Sequence, residues 1–514
     1  MEEQIREHER AIIQLKRSRN SLLNVSTLPP EVLGNIFGWN VVRQGDFGGL
    51  EGNFLLVCHH WFEVASCTPE LWSFWGNNLW DWAKRHSRYP EAPLDLVLGE
   101  MRSTEVTLDD TLRIALQDRA TRDTIRRVHL RTESPALLSS ILSPLTAGSE
   151  GPRSSSVESL ILRYETISMP ADVSDFFAHC RFPKLQHLEL FNCTVSSWDL
   201  FASRTAILIT LDLNFGYSLT PPTVSQVLSI LASNPALRKV SLSGYQVPRG
   251  GGGGPSPWVS LHNLKELKLV GDLRGVFGLL NQLDHPTNMV HLDITLDDCV
   301  VEDISHLIGP YIRDYLQRRG KLQTGLGLFL MLPFEDTIVL HVGDIDGVDF
   351  STPAPARMNT FIATTIQLKK QLPEVLRDKV TIDLIAHVPR EEIVYLQTCG
   401  IPLAMGEIST QLPNLRGLHF VGTPLHTAFP ESNLDMGDET FPSLRYVLLD
   451  RVIVDCGDWG PLTTFLDCRA TSGNRLHTLV IVGSQHMGPA ERGNFEKVVQ
   501  EFAHLEHPSP LYYS

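Results

Sequence analysis

From about Leu94 onward one pattern keeps returning: an apolar residue, two others, an apolar residue, one other, an apolar residue. Ile125, Val128 and Leu130 carry it, as do Val157, Leu160 and Leu162, then Leu185, Leu188 and Leu190. Leu208, Leu211 and Leu213 follow, then Leu237, Val240 and Leu242, Leu264, Leu267 and Leu269, and Met289, Leu292 and Ile294. It returns at Leu415, Leu418 and Phe420, at Leu444, Val447 and Leu449, and at Leu476, Leu479 and Ile481. The last two apolar positions alternate, so they share one face of a short strand. One strand cannot bury that face alone, but stacked neighbours can, and a parallel sheet is the expected result. The connecting segments are helical: Val224, Val227, Leu228 and Leu231 are spaced for a helix that Asn234-Pro235 stops. Residues 172–180 read the same way.

The register breaks over about 300–410. There 325–329, 338–342 and 380–388 still predict buried strands, and 346–357 an inserted loop. Residues 249–257, RGGGGGPSP, predict a flexible surface loop.

The first part of the chain has a helical texture instead. In 1–23, Ile5, Ile12, Leu15 and Leu22 recur at heptad-like spacing, with His8 and Arg19 at the intervening core positions. That helix either packs on its own protein or self-associates. Pro29 and Pro30 fit the first turn of a new helix, Glu31 complements its positive end, and Val32, Leu33, Ile36 and Phe37 give it an apolar stripe. A Gly-rich turn region at 43–53 precedes a second helix, predicted over about 54–65 and carrying Val57, Cys58 and Trp61. A third apolar cluster ends at Leu71 and Trp72. Six of the nine tryptophans lie between Trp39 and Trp82, as core residues do. The expected divisions are 1–25, an N-terminal helix; 26–85, the helical module; and 90–514, the repeats.

With 514 residues, the chain is too long for one compact core and calls for several domains or an elongated array. Its formal net charge of −15 lacks the electrostatic footprint of a nucleic-acid binder. The 8 cysteines are scattered, without metal-ligand spacing, and read as thiols of a reducing compartment. The charged start is no signal peptide, and no apolar run approaches a membrane span. A soluble protein of cytoplasm or nucleus is expected, with no membrane partner.

No chemistry motif is present: neither a P-loop, HExxH, GxSxG nor paired Cys ligands. The acidic stretches 109–118 and 431–439 lack calcium-loop spacing and read as solvated faces or loops. His187 and His291 sit on the solvent side of repeat strands. No enzyme activity, metal or cofactor is expected.

Taken together, LPPEVLGNIF (28–37), VCHHW (57–61) and PELW (69–72) resemble an F-box, and the repeat, whose period of roughly 23–32 residues is close to that of leucine-rich repeats, resembles degenerate members of that class. The combination is similar to the large fungal F-box families. The resemblance implies an α/β chain: a three-helix F-box module at 26–85, then a leucine-rich-repeat solenoid with parallel strands and helices on the convex side. It also implies a substrate-recognition adaptor of an SCF-type cullin–RING ubiquitin ligase. The module would bind the Skp-type linker protein through Leu28, Pro29, Glu31 and Ile36 and through Phe37, Val57, Cys58 and Trp61, while the repeats capture a protein substrate. The Gly-rich connection is longer than in the compact F-box. The alternative is a non-ligase interaction scaffold. On the repeat strands the exposed positions would include Gln186, His187, Glu189, Asp212, Lys239, Lys265, Lys268 and His291, a mixed polar surface that names no ligand class.

Overall fold

The computed structural model describes residues 1–22, 28–43, 57–68, 74–75, 93–101, 116–146, 153–166, 169–205, 207–216, 221–245, 258–284, 289–297, 310–311, 313, 326–334, 337–346, 359–369, 385–388, 390–399, 405–429, 441–454, 457–483 and 487–505. The expectations for 249–257, 347–357, 431–439, most of 109–118, the Gly-rich 44–53 and the PELW tryptophan cluster at 69–72 lie outside them. The chain forms two compact units, Met1–Leu237 and Arg238–Ser514.

The first unit opens with helices α1 (Glu2–Ser21), α2 (Pro30–Arg43) and α3 (His59–Ser66). Then come strands β1 (Phe74–Trp75), β2 (Leu94–Met101), β3 (Ile125–Thr132), β4 (Ser159–Tyr164), β5 (His187–Phe191) and β6 (Thr210–Asn214). Each pairs in parallel with the next. The register aligns the repeat: Val128, Leu160, Leu188 and Leu211 lie side by side, and so do Leu130, Leu162, Leu190 and Leu213.

The second unit continues with β7 (Lys239–Tyr245), β8 (Glu266–Asp272) and β9 (His291–Asp297), again parallel. Its middle departs from a simple parallel stack. Strands β10 (Leu326–Phe334), β11 (Thr337–Asp346) and β12 (Asn359–Lys369) form an antiparallel meander. β12 pairs in parallel with β9, and β10 in parallel with β13 (Ile393–Cys399). The spatial order is therefore β9-β12-β11-β10-β13, so only β11 runs against the others. β14 (Gly417–Val421), β15 (Tyr446–Asp450), β16 (Thr478–Val482) and β17 (Glu501–Leu505) extend the sheet in parallel. The strand expected over 380–388 is not found in its described part: residues 385–387 make a helical turn, with Ile385 and Val388 buried.

Every apolar residue of the ten pattern units is buried, from Ile125 to Ile481. The first of each unit often sits on a turn closed by its own N–H, as in Leu185 to the Phe182 carbonyl, Leu264 to Leu261, and Leu444 to Phe441. One carbonyl then accepts two successive N–H groups of the next strand: Glu158 from Gln186 and His187, Lys265 from Val290 and His291, and Arg416 from Arg445 and Tyr446. This recurring bond satisfies the backbone where each strand enters the sheet. Cys193, just after β5, is buried, and its Sγ donates toward the Leu162 carbonyl of the preceding strand at 3.7 Å.

The helix over Val224–Ala232 begins with a capping box: the Thr223 hydroxyl accepts from the Gln226 N–H, and the Gln226 side chain accepts from the Thr223 N–H. Among the described residues no helix is long and apolar enough to cross a membrane.

Candidate functional site

The helical module has a small core of its own. Leu33 and Phe37 on α2 meet Val64 and Ala65 on α3, with Leu28 and Trp61 packed against them. Phe37 and Trp61 stack with ring centroids 5.1 Å apart. Pro30 starts α2, with Glu31 in its first turn; the Val32 and Leu33 N–H groups return to the Pro29 carbonyl at 3.0 and 3.1 Å. On the other side of the core, the Thr68 hydroxyl donates to the Val64 carbonyl at 2.8 Å and lies against Gly34, where a β-carbon would come within 3.1 Å of it.

The second helix begins later than its sequence suggests. Cys58 is extended, with φ −162° and ψ 168°, and is the N-cap; Val57 lies in the turn before it. Neither belongs to the helix. The Cys58 thiol makes no capping hydrogen bond, so nothing in the side chains marks the start.

The eight residues named from the resemblance divide into two groups. Phe37 is buried, and Leu28 and Trp61 are half-buried against the core, so these three hold the module together. Pro29, Glu31, Ile36 and Val57 are exposed and Cys58 is half-buried. Ile36 is 47% and Val57 52% exposed. Two further apolar residues join them in reaching solvent: Val32 at 41%, one turn before Ile36 on the same row of α2, and Phe62 at 45% on α3. Sequence reasoning included Val32 in the helix stripe and passed over Phe62. The signal is present in α2, whose apolar residues form two adjacent rows, of which the row of Leu33 and Phe37 packs on α3.

The repeat strands offer a second candidate surface. On β3, β5 and β6 the residue between the two buried apolar positions is polar, His129, Glu189 and Asp212 respectively, while on β4 it is the half-buried Ile161. Arg131 pairs with Glu165 and Arg163 with Glu189, and His187 Nδ1 lies 2.7 Å from the Thr210 hydroxyl. His129 is hydrogen-bonded through Nε2 to the Ser159 hydroxyl at 3.0 Å. Burial first, then the Arg127 and Arg163 charges and His187, lower its pKa to about 4. Asp95 on β2 is 1% exposed, 3.5 Å from Arg126 and 3.6 Å from Arg127. Burial raises its pKa more than the two arginines lower it. In the second unit Lys239 pairs with Glu266 and Lys268 with Asp293. Opposite charges on neighbouring strands thus leave no field of one sign.

On β15, β16 and β17 the same strand position is apolar, Leu448, Val480 and Ala503, whereas on β14 it is His419. Tyr446, Leu448, Val480 and Val482 form a buried cluster, with Ala503 and Leu505 against it. Beside it the Tyr395 hydroxyl lies 3.0 Å from His419 Nδ1, and burial lowers the His419 pKa to about 3. The mixed polar surface expected of the repeat therefore lies on β3 to β9, interrupted by Ile161, and is absent from the described β15 to β17.

Among the described residues no group of three or more His, Cys, Asp or Glu side chains is placed to hold a metal ion. No family model matches the chain, and no match is found among curated proteins.

Proposed function

We propose that this chain is the substrate-recognition adaptor of an SCF-type cullin–RING ubiquitin ligase. In this reading residues 26–85 are an F-box that docks on a Skp-type linker, 1–25 are a preceding helix, and 90–514 are degenerate leucine-rich repeats that capture a protein substrate. The observation that carries it is the division of apolar residues in the helical module. Leu33, Phe37, Val64 and Ala65 complete a core, while Val32, Ile36, Val57 and Phe62 remain in water. Apolar side chains left exposed at four positions of so small a module suit a surface that another protein covers. Val32, Ile36 and Val57 fall within the LPPEVLGNIF and VCHHW motifs that resemble an F-box, and Phe62 directly follows the second.

The repeat units support the second half of the reading. Their parallel strands present exposed polar side chains from a rigid sheet, which suits recognition of a protein surface. Docking of module and capture by sheet would bring a substrate to the ligase, and the chain itself would perform no chemistry.

The test is co-purification of the full chain with a Skp-type linker and its cullin. A stable ternary complex supports the adaptor. A folded chain that retains neither protein leaves an interaction scaffold outside the ligase.

A further inference from the structure

No described side chain of helix α1 is buried. Its side chains from Glu2 to Arg19 are all exposed, and Asn20 is half-buried. Ile5, Ile12, Ile13, Leu15 and Leu22 are each at least half exposed. Helices in proteins draw most of their stability from packing an apolar face, and no described side chain of this 20-residue helix is buried. Its charges are also sorted. Glu2, Glu3, Glu7 and Glu9 lie in the first half with Arg6 and Arg10; Lys16, Arg17 and Arg19 lie in the second half with no acid. The helix dipole favours acids in the first turn and bases in the last. Glu7, Glu9 and Lys16 lie beyond those turns, so the dipole does not account for them.

We propose that α1 pairs with α1 of a second copy of this chain as a short antiparallel coiled coil. With Ile5, Ile12 and Arg19 at one core position of the heptad and His8, Leu15 and Leu22 at the other, antiparallel pairing sets Ile12 against Leu15 of the second copy at the centre. Ile5 meets Leu22 at each end. His8 faces Arg19 in the layers between, which keeps two polar layers inside four apolar ones. Glu9 and Lys16 occupy the flanking position beside the seam. Antiparallel pairing brings Glu9 of each copy to Lys16 of the other and lays each acidic half along a basic half. Parallel pairing would lay acid on acid and base on base. The interface is short, so the dimer is concentration-dependent and weakens with salt.

Sedimentation velocity of the full chain over a concentration series tests this. Wild type shifts from monomer to dimer as concentration rises. Glu9→Lys turns two attractive pairs into two repulsive ones and weakens the dimer roughly tenfold. Glu9→Lys with Lys16→Glu exchanges the partners and restores it. Ile12→Asp with Leu15→Asp abolishes it. A wild type that stays monomeric overturns the proposal, as does a dimer indifferent to Ile12→Asp/Leu15→Asp. A dimer that ignores Glu9→Lys, or that the double exchange fails to restore, overturns the antiparallel pairing.

Discussion

Phe37 of α2 and Trp61 of α3 pack ring against ring, centroids 5.1 Å apart and planes tilted by 56°. This contact joins the two helices, and it means that the most prominent aromatic residues of the F-box-like motifs act first on the module's own stability. Truncating Phe37 to Ala should cost about 3–5 kcal/mol. Hydrogen exchange should show α2 and α3 losing protection together, while the sheet strands keep theirs. Unchanged protection in α2 would contradict the assignment of Phe37 to the core.

Asn234 follows the helix over Val224–Ala232 and is fully buried. Its Oδ1 accepts from the Leu208 N–H at 3.2 Å, and its Nδ2 donates to the Ile230 carbonyl at 2.8 Å. One side chain thus ties a helix end to the entry of β6. Asn234→Ala leaves a buried donor and acceptor unpaired and should destabilise the first unit by about 3 kcal/mol. Urea unfolding followed by tryptophan fluorescence measures the loss.

Stability should also fall with acid. In the folded chain His129 takes its proton only near pH 4, because burial and then the neighbouring Arg127, Arg163 and His187 disfavour the charge. The unfolded chain takes it near 6.5. The stabilisation is complete above 6.5 and is lost as pH falls from there toward 4, by up to about 3 kcal/mol. His419, lowered to about 3, adds a loss of the same sign. His129→Gln should reduce the difference in urea midpoint between neutral and mildly acidic buffer. An unreduced difference would show that His129 is not held neutral.

The repeat could be read from the sequence because each unit states it in full: a leading apolar residue, then two alternating ones. All of these are buried, and Leu160, Leu188 and Leu211 are aligned strand to strand. The meander of β10, β11 and β12 could not. A segment such as IVLHV alternates identically whether its neighbour runs parallel or antiparallel, so strand direction is absent from the local pattern. The buried outer face of β15 and β16 was available in principle. YVLLD and TLVIV are nearly continuous apolar runs, which mark strands covered on both sides. In the module, Val32 with Ile36 and Leu33 with Phe37 are equivalent rows by spacing. Only packing against Val64 and Ala65 decides that the second row goes inside. The start of α3 at His59 was hidden because Cys58 caps it without a capping side chain.

In the proposed adaptor, the exposed apolar residues of the module bind a Skp-type linker. Calorimetric titration of the linker into wild type and into Ile36→Asp/Val57→Asp tests it most directly. Both sites are exposed, so the variant should fold as wild type does. Wild type should bind saturably, and the variant should lose about 2–4 kcal/mol of affinity or more. No binding by folded wild type, or equal binding by the variant, would contradict the claim.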